Sequence, residues 1–106
     1  MEMAKYIMSI LKTQLMVMFS WGFNSPVAIQ NGLRFKVQGF KFRGIVEVVY
    51  NEGSDLFDLS FIKRNKVVKS IEGVFFDSLV EVIDDYVEKT TDYEKRVAAE
   101  YSFSLY

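Results

Sequence analysis

The stretch LRFKVQGFKFRGIVEVVYNEGSDLFDLSFIKRNKVVKSI, Leu33 to Ile71, limits the fold more than any other part of the chain. Apolar and polar residues alternate along it, as they do when successive side chains of a strand point to opposite faces of a sheet. Leu33, Phe35 and Val37 share one face, and Arg34 and Lys36 the other. After Gly39 the phase slips by one, placing Phe40 and Phe42 on the apolar side and Lys41 and Arg43 on the polar side. A one-residue slip at a glycine reads either as a two-residue hairpin at Gln38-Gly39 or as a bulge in one long strand. Ile45 to Tyr50 and Leu56 to Lys63 read as further strands joined by NEGSD, and Arg64-Asn65 turns the chain into a short strand, KVVKSI. Connections this short join antiparallel neighbours, so a meander is expected.

Helices flank this block. Ala4, Met8, Leu11, Leu15 and Met18 recur at helical spacing, with Lys5, Ser9 and Lys12 on the other side. Leu15 to Trp21 is apolar all round and β-prone at Val17, Phe19 and Trp21, so it reads either as more helix or as a buried strand that begins after Thr13. In NSPVAIQNG, the Asn-Gly pair proposes a hairpin between VAIQ and LRFK. Ser25 as a cap, Pro26 at a first helical position and Gly32 past a helix end propose instead one short helical turn, Pro26 to Asn31, and this second reading is preferred because both of its ends fit.

From Val74 the residues Phe76, Leu79, Val80, Ile83, Tyr86 and Val87 form an apolar stripe opposite Asp77, Glu81, Asp84, Asp85 and Glu88. Thr91 with Glu94 has the form of a capping box that starts a last helix, Asp92 to about Ser102. The expectation is one α+β domain spanning residues 1–106: an N-terminal helix, an antiparallel meander of four to five strands, and one or two C-terminal helices packed on the sheet.

A chain of 106 residues buries roughly two thirds of the surface its unfolded form exposes, enough for a real core. It has no Cys and no His, which removes thiolate nucleophiles, disulfides, and zinc or haem ligation through those side chains. An enzyme would depend on carboxylates, Lys, Tyr or Ser, so a non-enzymatic role without catalytic residues, cofactor or metal is expected. Glu2 and the polar KTQ at Lys12 to Gln14 break the apolar start into pieces too short for a signal peptide or a membrane span. A cytoplasmic location follows as the default.

Two acidic groupings invite a functional reading and do not sustain it. Asn51, Glu52, Asp55 and Asp58 lack the ligand spacing of a calcium loop and suit a turn. The carboxylates after Val74 lie opposite the apolar stripe and read as a solvated face.

The basic face is different. A two-residue hairpin at Gln38-Gly39 would oppose Arg34 to Arg43 and Lys36 to Lys41, and like charges directly opposed destabilise a sheet unless an anionic neighbour offsets them. These four are therefore the candidate anion- or partner-binding residues. If they pair instead with Glu47, Asp58 or the acidic helix, their role is structural and the candidate face becomes the apolar surface around Ile45, Val49, Tyr101 and Phe103.

The same alternation puts Ile45, Val49 and Ile62 on the polar face, more apolar material than one sheet face and one helix hide. The expected function is a small, self-associating protein-interaction module, its partner another protein or a second copy in a homodimer. The alternative is a nucleic-acid-binding accessory protein using the basic face. No exposed aromatics are interleaved with those cations, which leaves nucleic acid unsupported as a partner.

Overall fold

A computed structural model describes residues 2–88. The expected capping box at Thr91 and Glu94, the last helix, and the candidate residues Tyr101 and Phe103 lie outside the described residues. Strands β1 (Asn24–Ile29), β2 (Gly32–Gln38), β3 (Arg43–Asn51), β4 (Leu56–Lys63) and β5 (Lys66–Val74) form one antiparallel sheet in the order β1-β2-β3-β4-β5. Helices α1 (Met3–Lys12) and α2 (Leu15–Ser20) precede the sheet, and a 3-10 turn (Phe76–Ser78) leads into α3 (Leu79–Val87) after it. The fold is the expected α+β meander.

Alternation decides which face the helices cover. Leu33, Phe35 and Val37 of β2, Val46 and Val48 of β3, and Phe57, Leu59 and Phe61 of β4 are all buried on one side. They form one core with Ile7 and Leu11 of α1 and with Leu79, Ile83 and Val87 of α3. Rings extend it: Phe42 meets Phe61 edge-on at 5.6 Å between centroids, and Tyr86 lies 4.2 Å from Phe61. No polar or charged side chain is buried among the described residues.

Leu15 to Ser20 is a helix, which settles the choice left open by its composition. Gly22 takes a left-handed φ of 67° just past its end, a conformation that glycine adopts without a Cβ clash. Trp21 between them is fully buried, and its Nε1–H donates to Asp84 Oδ1 at 3.0 Å. Asp84 is thus half-buried and bonded across the core, where the helix pattern alone places it in water. Phe76, expected in the apolar stripe, is exposed, because β5 runs on to Val74 and the helix proper starts only at Leu79.

The expected helical turn at Pro26 to Asn31 is not formed. That segment is β1 and its turn, with Ile29 paired to Gly32 and Gln30-Asn31 between them. Three local facts reconcile the residues with a strand. Pro26 lies on an edge strand, where a missing N–H costs no ladder bond if it points outward. Asn31, not the glycine, takes the left-handed conformation, with φ 56°. Gly32 serves a close approach instead, since a Cβ there would overlap the Val48 carbonyl oxygen of β3.

The slip at Gly39 is neither a two-residue hairpin nor a bulge. Gln38 pairs with Arg43, so Gly39 to Phe42 form a four-residue loop. Phe42 points into the core, but Phe40 is exposed, against the alternation. The loop closes the end of α3: the backbone N–H groups of Lys41 and Phe42 donate to the Val87 carbonyl at 2.8 and 3.2 Å, and that of Phe40 to Glu88 Oε2 at 2.7 Å. The Lys41 ammonium donates to the Asp85 carbonyl. The Lys41 ammonium and the two backbone donors to Val87 thus meet the carbonyl end of the helix, where unpaired acceptors and the negative end of the dipole favour them.

The other two hairpins follow the expected turn chemistry. Arg64 and Asn65 both have positive φ, 54° and 64°, as a tight two-residue hairpin requires. In NEGSD, Asn51 Oδ1 accepts the N–H groups of Gly53 and Ser54 at 3.0 and 3.3 Å, and Tyr50 Oη donates to Asp55. That last bond, then desolvation, then the nearby Asp55 and Glu52 charges, raise the Tyr50 phenol above its ordinary 10.0. The folded chain therefore holds this proton more tightly than the unfolded chain. Its contribution is complete below the ordinary value and is lost as pH rises through the raised one. Asp55→Asn, which tolerates the left-handed φ of 59° at this position, is expected to bring Tyr50 back towards its ordinary value in a ring-carbon NMR titration. An unmoved titration would mean that Asp55 is not the cause.

Candidate functional site

All the helices described lie on one side of the sheet, and the other side is open among the described residues. Three rows of paired residues cross it. The first runs Lys36, Ile45, Ile62, Val67. The second runs Val27, Arg34, Glu47, Ser60, Ser70. The third joins Val49 to Asp58. Val27 and Val67 are exposed, and Ile45 and Val49 are half-buried. Ile62 is 9% exposed yet stands apart from the helix-side core, so its neighbours on the open face do the shielding. An apolar band thus crosses β3 to β5, as expected for Ile45, Val49 and Ile62.

The four candidate cations do not form one ribbon. Moving the turn from two residues to four brings Glu47, not Arg43, opposite Arg34, and Ile45, not Lys41, opposite Lys36. Neither expected like-charge pair exists. Arg34 Nε lies 3.3 Å from Glu47 Oε2, a half-exposed pair whose angle falls short of a hydrogen bond, so the Nε–H is shielded without a properly aligned acceptor. Such pairs contribute about 0–1 kcal/mol. Lys41 is used at the end of α3, on the helix side. Lys36 and Arg43 alone are exposed on the open face without an ion pair among the described residues.

Charge on this face is sorted along the strands. Arg43 and Lys36 lie towards the loop at Gly39 to Phe42, Arg34 and Glu47 in the middle row, and Asp58 towards the opposite end. Alternation from Ser70 places exposed Glu72 beside Asp58. Asp58 is held by Asn51 Nδ2 at 3.3 Å and the Gly73 N–H at 3.2 Å, so the acidic end is fixed in place.

A shallow depression of about 390 Å³ opens between β1, β2 and β3, lined by Ser25, Val27, Arg34, Phe35, Lys36 and Ile45. It brings two cations over an apolar floor and no carboxylate. A groove of about 340 Å³ between α1 and the start of α3 carries one carboxylate, Asp77. No group of three or more Asp or Glu that could hold a metal ion occurs among the described residues, and no described helix is long and apolar enough to cross a membrane. Comparison with protein-family models, with curated proteins and with solved structures finds no match.

Proposed function

We propose that the chain is a small, non-enzymatic protein-interaction module that self-associates through the open face of its sheet. One observation carries this reading: the apolar band of Ile45, Ile62 and Val67, with Val49 beside it, crosses a sheet face on which no described element packs. An antiparallel sheet with one solvated face ordinarily alternates apolar-in and polar-out, so apolar residues lined up across the outer face favour contact with another surface. The nucleic-acid alternative loses the arrangement that motivated it. Arg34 faces Glu47 and Lys41 caps α3, so two of its four cations are engaged within the fold.

Sedimentation velocity over a range of concentrations tests the reading. The chain is expected to associate reversibly, and Val49→Lys with Val67→Lys to shift it to monomer while changing stability by no more than about 1 kcal/mol, as surface substitutions do. Association that is unchanged in this variant would overturn the assignment of the face.

A further inference from the structure

We propose that the β4–β5 hairpin is a second contact site, separate from the open face, and that it docks on an anionic lipid surface. Between Asp58 and Glu72 the chain carries four cations, Lys63, Arg64, Lys66 and Lys69, and no Asp or Glu. Lys63 is set directly opposite Lys66, on either side of the tight Arg64-Asn65 turn. The opposed like charges absent from the loop at Gly39 to Phe42 are thus present here, and such a pair destabilises a hairpin unless an anion lies beside it. All four cations are exposed, and the ion pairs among the described residues, Lys5 with Glu2 and Arg34 with Glu47, include none of them. Lys63, Arg64 and Lys66, with Val68, line a depression of about 530 Å³ to which no carboxylate contributes.

The site lies on the helix side of the sheet. Lys63 follows the core residue Phe61 by two positions in β4, Lys66 pairs with Lys63, and Lys69 pairs with Phe61, so all three share the face of Phe61. Arg34, Lys36 and the apolar band occupy the other face. Phe61 and Ile62 are adjacent, whereas their partners Lys69 and Val67 are two apart, so Val68 is an inserted residue. Two successive valines are exposed as a result, Val67 at 57% and Val68 at 51%. Val67 lies opposite Ile62 on the side of the open face, and Val68 lines the depression, so the hairpin carries an apolar residue on both sides, flanked by Lys66 and Lys69. This composition chooses the anion. Ammonium groups and a guanidinium meet lipid headgroup phosphates and carboxylates, while the valines enter the layer beneath them. On a nucleic-acid backbone the valines would meet nothing, and the hairpin has no exposed aromatic ring on which a base could stack.

Vesicle sedimentation with the full chain tests this, with phosphatidylcholine vesicles as one arm and vesicles containing about one third phosphatidylserine as the other. The chain is expected to bind the anionic vesicles at low salt and to leave the neutral ones. Lys63→Gln with Lys66→Gln and Lys69→Gln is expected to weaken that binding on the order of a hundredfold, about fivefold for each cation lost. Val68→Ser is expected to weaken it about threefold through lost apolar contact. The triple variant is also expected to unfold at an unchanged or higher urea concentration, because the repulsion between Lys63 and Lys66 is gone. No binding to the anionic vesicles, equal binding to the neutral ones, or unchanged binding by the triple variant would overturn the proposal. So would a clear loss of stability in that variant, which would mean that these cations pair within the fold. Duplex DNA as a third arm separates phosphate attraction from lipid docking. If DNA binds more tightly than the anionic vesicles, and Val68→Ser changes neither, the lipid assignment fails.

Discussion

Replacing Trp21 by alanine is expected to lower the unfolding free energy by about 3–5 kcal/mol, the range for emptying a buried aromatic site. Trp21 is fully buried where α2 ends, and its Nε1–H reaches Asp84 on α3. The substitution therefore removes the largest core side chain and leaves Asp84 without its donor at the same time. The two losses separate by mutation. Asp84→Asn keeps an oxygen acceptor and is expected to cost little, whereas Asp84→Ala leaves a buried indole N–H unpaired, at about 1–3 kcal/mol. Urea unfolding followed by circular dichroism measures all three, since the fluorescence of the single Trp is lost in the first. A loss below about 1 kcal/mol for Trp21→Ala would mean that the junction of α2 and α3 is not part of the cooperative unit.

Gly39→Ala is the second large effect, about 2–4 kcal/mol, and its cause lies at the other end of α3. A Cβ at Gly39 would overlap both the Val87 side chain and the Val87 carbonyl oxygen. Backbone stands on one side of that clash, so relief requires α3 and the loop to separate. The hydrogen bonds from Lys41, Phe42 and Phe40 to Val87 and Glu88 then stretch together. Overpacking of this kind costs about 1–3 kcal/mol, and each weakened bond adds up to about 1. Gly53→Ala is the control: its Cβ would meet only Asn51 Oδ1, at 3.3 Å, and it is expected to stay within about 0.5 kcal/mol of the parent. Equal losses at both positions in urea unfolding would show that general glycine effects, not contact with α3, are responsible.

The strands β2 to β4 were legible because buried and less buried residues alternate along them, β5 only as the short strand KVVKSI because its register shifts break the alternation, and α1 and α3 because their stripes recur at helical spacing. What could not be read is instructive. The slip after Gly39 is compatible with several turn lengths, and the bonds that choose four residues come from Val87, far along the chain. Everything inferred about opposed cations depended on that count, which is why Glu47, a residue of the expected strand, became the partner of Arg34. At Pro26 to Asn31 the cap and turn preferences were genuine, but they are local, and pairing with β2 outweighed them. Trp21 and Asp84 come from segments that look unrelated in sequence, and no periodicity joins them. The apolar residues of the open face were legible as a surplus; their lining up into one row across three strands needed the register.

The two borders of the sheet set a limit on growth. β1 carries Pro26, a left-handed Ser25 and a register shift between Asn24 and Val27. β5 carries two further shifts, a left-handed Gly73, and the charges of Lys66, Lys69 and Glu72. Neither border offers the straight, evenly spaced ladder that a further strand needs in order to dock, so end-on extension into fibrils is blocked at both.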